Sequence, residues 1–164
     1  MEIEQKYRIR VLPDVSGCEK LEMEQGYLCT DPVVRIRKSN DSFILTYKSR
    51  AGIELSDAQA QINQEVELPL TEESYLHLRE KADGYLISKT RYKIPLPDGH
   101  TGELDVFHGR LEGLVFIEVE FAQEQDMAEF QPPEWFGENV SRDRRYSNSF
   151  LSTCEDLGIF SHIH

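Results

Sequence analysis

The chain opens MEIEQKYRIR, and its charged and apolar residues alternate. Glu2, Glu4, Lys6, Arg8 and Arg10 form one series; Ile3, Gln5, Tyr7, Ile9 and Val11 form the other. The same alternation recurs in VVRIRK with Arg35 and Arg37, SFILTYK with Lys48, and QEVELPL with Glu65 and Glu67. It returns in ISKTRYKI with Lys89 and Arg91, GELDVF with Glu103 and Asp105, and VFIEVEF with Glu118 and Glu120. Residues two apart diverge by about 200° on a helix but share one face of a strand. The intervening residues are Ile, Val, Leu, Thr and Phe, which favour strands. The spacing predicts at least six strands, each with a charged face and an apolar face.

Three stretches read as helices. TEESYLHLREKADG has Thr71 as N-cap, acids in its first turn and Gly84 beyond its end. A second short helix occupies Glu124 to Phe130. A third runs from about Tyr146 to Leu157, where Phe150, Leu151, Cys154 and Leu157 recur at helical spacing and Gly158 follows. Loops are expected around Arg50 to Asn63, at Pro97-Asp98-Gly99 and at Gln131-Pro132-Pro133. No repeat or linker divides the chain, so residues 1–164 read as one domain.

A charged strand face is ordinarily the solvent side of a half-buried sheet. Such a face tends to mix signs, so that opposite charges pair across strands. Here the signs are sorted: Arg35 with Arg37, Lys89 with Arg91, and three strands with acids alone. Like charges at i and i+2 lie roughly 7 Å apart. At an effective dielectric near 20, each such pair repels by roughly 2 kcal/mol. In an enclosed space that repulsion calls for a partner of opposite sign. Two closures satisfy the pattern: apolar side inward with the charges in water, or charges inward with helices covering the apolar side. Periodicity alone leaves both open.

Composition narrows the classes. The 164 residues suffice for one domain with a substantial core, and 39% hydrophobic with 29% charged residues suits a globular protein. No apolar run approaches the roughly 18 residues of a membrane span, and no basic-then-apolar leader opens the chain. Cys18, Cys29 and Cys154 are odd in number and scattered, without CxxC spacing. They read as reduced thiols of a cytoplasmic protein and not as a zinc site. A net charge of −12 argues against nucleic-acid binding, though a local cluster or a metal can still bind a small anion. The five histidines show no metal-ligand spacing. Trp135, after Pro132-Pro133, reads as an outer-core anchor.

The charged series, taken in order, resembles a known family. Glu2, Glu4 and Lys6 are similar to the ExExK signature of the CYTH superfamily, the triphosphate tunnel metalloenzymes. The resemblance continues through Arg35-Ile-Arg37, Lys48, Glu65-Val-Glu67, Lys89-Thr-Arg91, Glu103-Leu-Asp105 and Glu118-Val-Glu120. It ends in DRRYSN, Asp143 to Asn148, and so covers nearly the whole chain. Two features depart from the family pattern. The segment Ser49 to Gln64 is longer than the usual link, and no basic residue stands just before Glu65.

The resemblance implies an α+β, mainly β fold. This is a closed antiparallel eight-stranded barrel, a tunnel with a charged interior and a few helices packed outside. It implies phosphate binding by Lys6, Arg8, Arg35, Arg37, Lys48, Lys89, Arg91 and Arg145. Guanidinium forks suit phosphate oxygens, and lysines act as compact charges. It implies Mg²⁺ or Mn²⁺ held by Glu2, Glu4, Asp105, Glu118 and Glu120, with Glu65, Glu67 and Glu103 as further tunnel acids. Such hard cations bridge carboxylate to phosphate. Glu4, Lys6 and Asp105 would be catalytic: a carboxylate or second metal positions water, and Lys6 offsets charge on the leaving diphosphate. The last helix, entered through Tyr146, would narrow one mouth.

The expected activity is metal-dependent hydrolysis of inorganic tripolyphosphate to diphosphate and phosphate, by a monomer or homodimer without nucleic-acid or membrane partners. Within the family the alternatives are class IV adenylyl cyclase and hydrolysis of ATP or thiamine triphosphate, with Tyr27 and Tyr47 available to stack on a base. A non-catalytic polyphosphate or nucleotide sensor and a plain β-sandwich interaction domain are rivals from other classes.

Overall fold

The computed structural model describes residues 2–49 and 61–160. Among the described residues there are nine strands: β1 (Glu2–Ile9), β2 (Glu19–Thr30), β3 (Val33–Ser39), β4 (Ser42–Ser49), β5 (Gln61–Pro69), β6 (Asp83–Pro95), β7 (Thr101–Phe107), β8 (Val115–Phe121) and β9 (Phe136–Asn139). Every pairing is antiparallel. The order β5-β4-β3-β2-β6-β7-β8-β1 closes through a further β5–β1 pairing, which makes an eight-stranded barrel. One edge of β1 is divided. Glu2, Ile3 and Glu4 pair with β5, while Tyr7 and Ile9 pair with β9 across a register shift. Closure removes the open edges that a sheet of this size would otherwise expose.

The apolar faces of β1, β6, β7 and β8 turn outward into a core containing Ile3, Ile94, Leu104, Ile117 and Val119. The helix α2 (Glu124–Glu129) covers it through Met127, and Phe130 and Phe136 continue the cover. Trp135 packs against the same cluster, its ring centroid 4.7 Å from that of Phe136, in the anchoring place expected for it. The helix α1 (Glu72–Arg79) starts where expected, with Thr71 Oγ1 accepting a hydrogen bond from Ser74 N at 3.0 Å. Its buried Tyr75 stacks near Phe43 outside the barrel.

A second apolar cluster fills one end of the barrel interior. Tyr27, Ile87, Phe107 and Phe116 meet Tyr146 and Leu151 of the C-terminal segment there. The charged interior therefore ends in a plug that this segment completes.

Several expectations need correction. The third helix is short: a 3₁₀ turn at Arg144–Tyr146 leads into α3 (Asn148–Leu151). Ser152 and Thr153 hydroxyls bond back to the Ser149 and Phe150 carbonyls at 2.6 Å, and the Arg110 guanidinium takes the carbonyls of Leu151 and Cys154. These bonds satisfy carbonyls that further helical turns would otherwise use. Gly84 does not cap α1. It lies within β6 at φ +63°, where a Cβ would sit 2.4 Å from the Ser152 carbonyl oxygen. Gln61–Asn63 belong to β5, and the rest of the loop expected around Arg50 to Asn63 lies outside the described residues.

Candidate active site

The alternating charges face inward. A cavity of about 340 Å³ lies within the barrel. Of the residues predicted from sequence, Glu2, Glu4, Lys6, Arg35, Arg37, Lys48, Glu65, Glu67, Arg91, Glu103, Glu118 and Glu120 line it. Cross-strand register brings them together: Glu4 lies opposite Glu120, Lys6 opposite Glu118, Glu103 opposite Glu118, and Lys48 opposite Glu65. Sequence reasoning missed Asn63, Lys93 and Asp143, which also line it. Lys93 continues the Lys89-Arg91 series at the same spacing, so its signal was present.

Four predicted residues lie elsewhere. Arg8 keeps the phase of Lys6, opposite Phe116 in the unbroken β1–β8 register, but it lies past the plug at Phe116 and Tyr146, where it borders a different groove with Glu138 at 3.9 Å. Arg145 folds back onto Asp143, whose carboxylate accepts from the Arg145 backbone at 3.1 Å and from its Nε at 2.9 Å. Lys89 and Asp105 are on the interior face but one layer behind the wall, both fully buried. Lys89 Nζ is 2.7 Å from Asp105 and donates to Asn148 at 3.1 Å. Asp105 also accepts from Arg91 Nε at 2.8 Å and Nη2 at 3.0 Å. The α3 start, Ser147 to Ser149, lies over this layer and lines the cavity.

The cations divide into two groups. Lys6 is 3.6 Å from Glu118, Lys48 is 2.9 Å from Glu2 and 3.4 Å from Glu65, and Arg91 is paired with Asp105 and Glu103. Arg35 and Arg37 have no ion-pair partner among the described residues. Arg35 Nη2 donates to Thr46 at 3.3 Å, and its Nε is buried without a partner among them. Arg37 Nε donates to Gln25 at 2.9 Å. Burial, then the nearby Arg35 and Arg91, pull the Arg37 pKa down to about 9. Unsatisfied buried donors are costly, so this corner is built for an anion.

The acids behave as a coupled set. Burial, then Glu118, holds the Glu4 carboxyl well above the usual range. Burial opposes ionisation of Glu118 too, but Lys6, Arg91, Lys89 and a hydrogen bond from Glu4 outweigh it and hold it well below that range. Glu4 therefore gives up its proton less readily than its neighbour Glu118. Lys6, Arg35, Arg37, Lys48, Arg91 and Lys93 face Glu2, Glu4, Glu65, Glu67, Glu103, Glu118, Glu120 and Asp143, two more acids than bases. An anionic polyphosphate would gain little from that wall without a cation. No three acidic, His or Cys side chains among the described residues already converge as a metal cage. The oxygen donor set nevertheless fits Mg²⁺, which is usually held by one or two carboxylates together with substrate phosphates. The crowding of Glu4 by Glu118 and Glu2 marks a place where a cation would be welcome.

A closed barrel with this sorted, charged lining defines a tunnel protein of the CYTH-like class. No family model matches the chain. An inorganic triphosphatase of Nitrosomonas europaea is 37% identical over 154 residues, 92% of this chain and 96% of that protein. One from Acetivibrio thermocellus is 36% identical over 92% of each. A crystal structure of an inorganic triphosphatase superposes with a TM-score of 0.67 at 36% identity, covering 94% of this chain and 95% of that one. A solved protein from Hippeastrum, 18% identical with a TM-score of 0.55 over 78% of this chain and 83% of that one, shares the fold. The chain belongs to the CYTH-like family of these inorganic triphosphatases.

Proposed function

We propose that the chain hydrolyses inorganic triphosphate to diphosphate and phosphate within the tunnel, with Mg²⁺ or Mn²⁺. The relatives' activity supports triphosphate hydrolysis. The observation that carries the reading is the pair of cavity-facing arginines, Arg35 and Arg37, which have no ion-pair partner among the described residues in an otherwise acid-rich wall. They hold the phosphate chain, with Lys6, Lys48, Arg91 and Lys93 around it. Glu2, Glu4, Glu118 and Glu120 would hold the metal ion. When bound, the ion neutralises phosphate-oxygen charge and acidifies water. Glu4, once ionised, accepts a proton from the attacking water. The water oxygen bonds to the terminal phosphorus as the bond to the bridging oxygen breaks. Lys6, anchored by donating to the Tyr146 carbonyl at 2.6 Å, offsets charge on the departing diphosphate.

The lining favours an inorganic substrate over ATP or thiamine triphosphate. Tyr47 is 40% exposed on β4, outside the barrel, and Tyr27 at 2% exposure offers little ring surface to a base. Incubation of the purified protein with triphosphate, ATP or thiamine triphosphate, with Mg²⁺ and then Mn²⁺, tests the reading. Phosphate should be released from triphosphate only with metal, and no cyclic AMP should form. Triphosphate binding without release would make the protein a sensor and overturn the proposal.

A further inference from the structure

The two arginines on β3 that lack carboxylate partners are not loose. Each is held by a neutral, fully buried side chain directly across from it on a neighbouring strand. Gln25 on β2 lies opposite Arg37, and Thr46 on β4 lies opposite Arg35. Both are 0% exposed. Gln25 Oε1 accepts from Arg37 Nε at 2.9 Å, and Gln25 Nε2 donates to the Tyr27 hydroxyl at 3.3 Å. Thr46 Oγ1 accepts from Arg35 and donates to Glu67, both at 3.3 Å. Lys6, Lys48, Lys89 and Arg91 all have carboxylates within ion-pair distance.

A buried cation is ordinarily stabilised by a buried anion. Isosteric glutamate at position 25 would supply one in the same place, and the Tyr27 hydroxyl could turn to donate to it. The chain has instead an amide that fixes the guanidinium's direction and leaves its charge intact. We infer that Gln25, seconded by Thr46, is a positioning residue that aims an un-neutralised Arg37 at the phosphate chain, giving up stability to retain anion affinity. This rests on the functional reading above and names the residue that sets its affinity.

The test is Gln25→Glu. A carboxylate at this position pairs with Arg37 and competes with phosphate. The Tm without ligand should stay level or rise, while KM for triphosphate rises about tenfold or more and kcat changes far less. Gln25→Met removes the bond without adding charge. It should lower the Tm and raise KM less than Gln25→Glu does. An unchanged KM in Gln25→Glu, or a fall in its Tm, overturns the inference. The wild-type protein, assayed alongside, separates the two claims. If it releases no phosphate from triphosphate, the functional reading fails. If it does and Gln25→Glu keeps its KM, only the inference fails.

Discussion

Replacing Asp105 with asparagine keeps the side chain's size and removes its charge. The carboxylate is fully buried between Lys89 at 2.7 Å and Arg91 at 2.8 Å. Removing one partner of a buried ion pair costs about 3–5 kcal/mol, because the other charge is left uncompensated. The two cations differ in how they can respond. Burial, against the pull of Asp105, already lowers the Lys89 pKa to about 7, so Lys89 can shed its proton once the carboxylate is gone. Arg91 cannot, since guanidinium stays charged in proteins. The loss should therefore fall near the lower limit, about 3 kcal/mol. For a chain of this size that is a Tm fall of about 6–12 °C. Calorimetry without ligand, with Lys89→Met and the double variant, checks the value and its origin. The double variant should lose less than the sum of the two single losses. A Tm change under about 2 °C for Asp105→Asn, combined with a large rise in the Mg²⁺ needed for activity, would refute the reasoning and return Asp105 to the metal set expected from sequence.

Arg37→Ala should weaken triphosphate binding about tenfold or more and orthophosphate binding much less, measured as competition or thermal shift; equal losses would contradict a grip on several phosphates. Burial and Glu118 hold the Glu4 carboxyl above its usual range, so a proton competes with a metal ion there more strongly than at an ordinary carboxylate. The Mg²⁺ concentration for half-maximal activity should therefore fall as pH rises through that raised value, and Glu4→Gln should flatten the dependence; a pH-independent requirement in the wild type would remove Glu4 from the metal site. His100 has its pKa raised by its bond to Asp126 and, against the cost of burial, by Asp98. The raised folded value means that this stability is fully present below the unfolded pKa of about 6.5 and fades as pH rises through the folded value. The Tm gap between wild type and His100→Gln should thus be wider at about pH 5.5 than at about pH 8.5; a gap that widens with pH would contradict the pairing.

The strands carrying charge at i and i+2 were legible because a two-residue period puts those residues on one face whatever the tertiary context. β1, β3 and β8 follow that rule almost throughout. β2 escaped it. Its inward residues are Leu21, Met23, Gln25 and Tyr27, while Glu22 and Glu24 point out, so the alternation is present with its polarity reversed. Nothing in a single strand says which phase is interior. Closure with the charges inward came from the family resemblance, and the structure agrees. Depth was illegible too. Asp105 and Glu103 share a face, yet only Glu103 reaches the cavity, because α3 and Asn148 lie over the layer that holds Lys89. Arg8 and Arg145 sit apart from the cavity for local reasons that periodicity does not encode, the Tyr146 plug in one case and a carboxylate two residues away in the other. The neutral partners Gln25 and Thr46 carried no signal, since an uncharged residue at an inward position reads as ordinary strand.

The most direct test is a crystal structure of the wild-type protein soaked with triphosphate and Mn²⁺, using the anomalous signal of manganese to place the ion. The phosphate chain should lie inside the barrel against Arg35 and Arg37, with manganese between it and carboxylates drawn from Glu2, Glu4, Glu118 and Glu120. Density for triphosphate on the outer surface, or a filled tunnel whose phosphates avoid both arginines, would contradict that assignment.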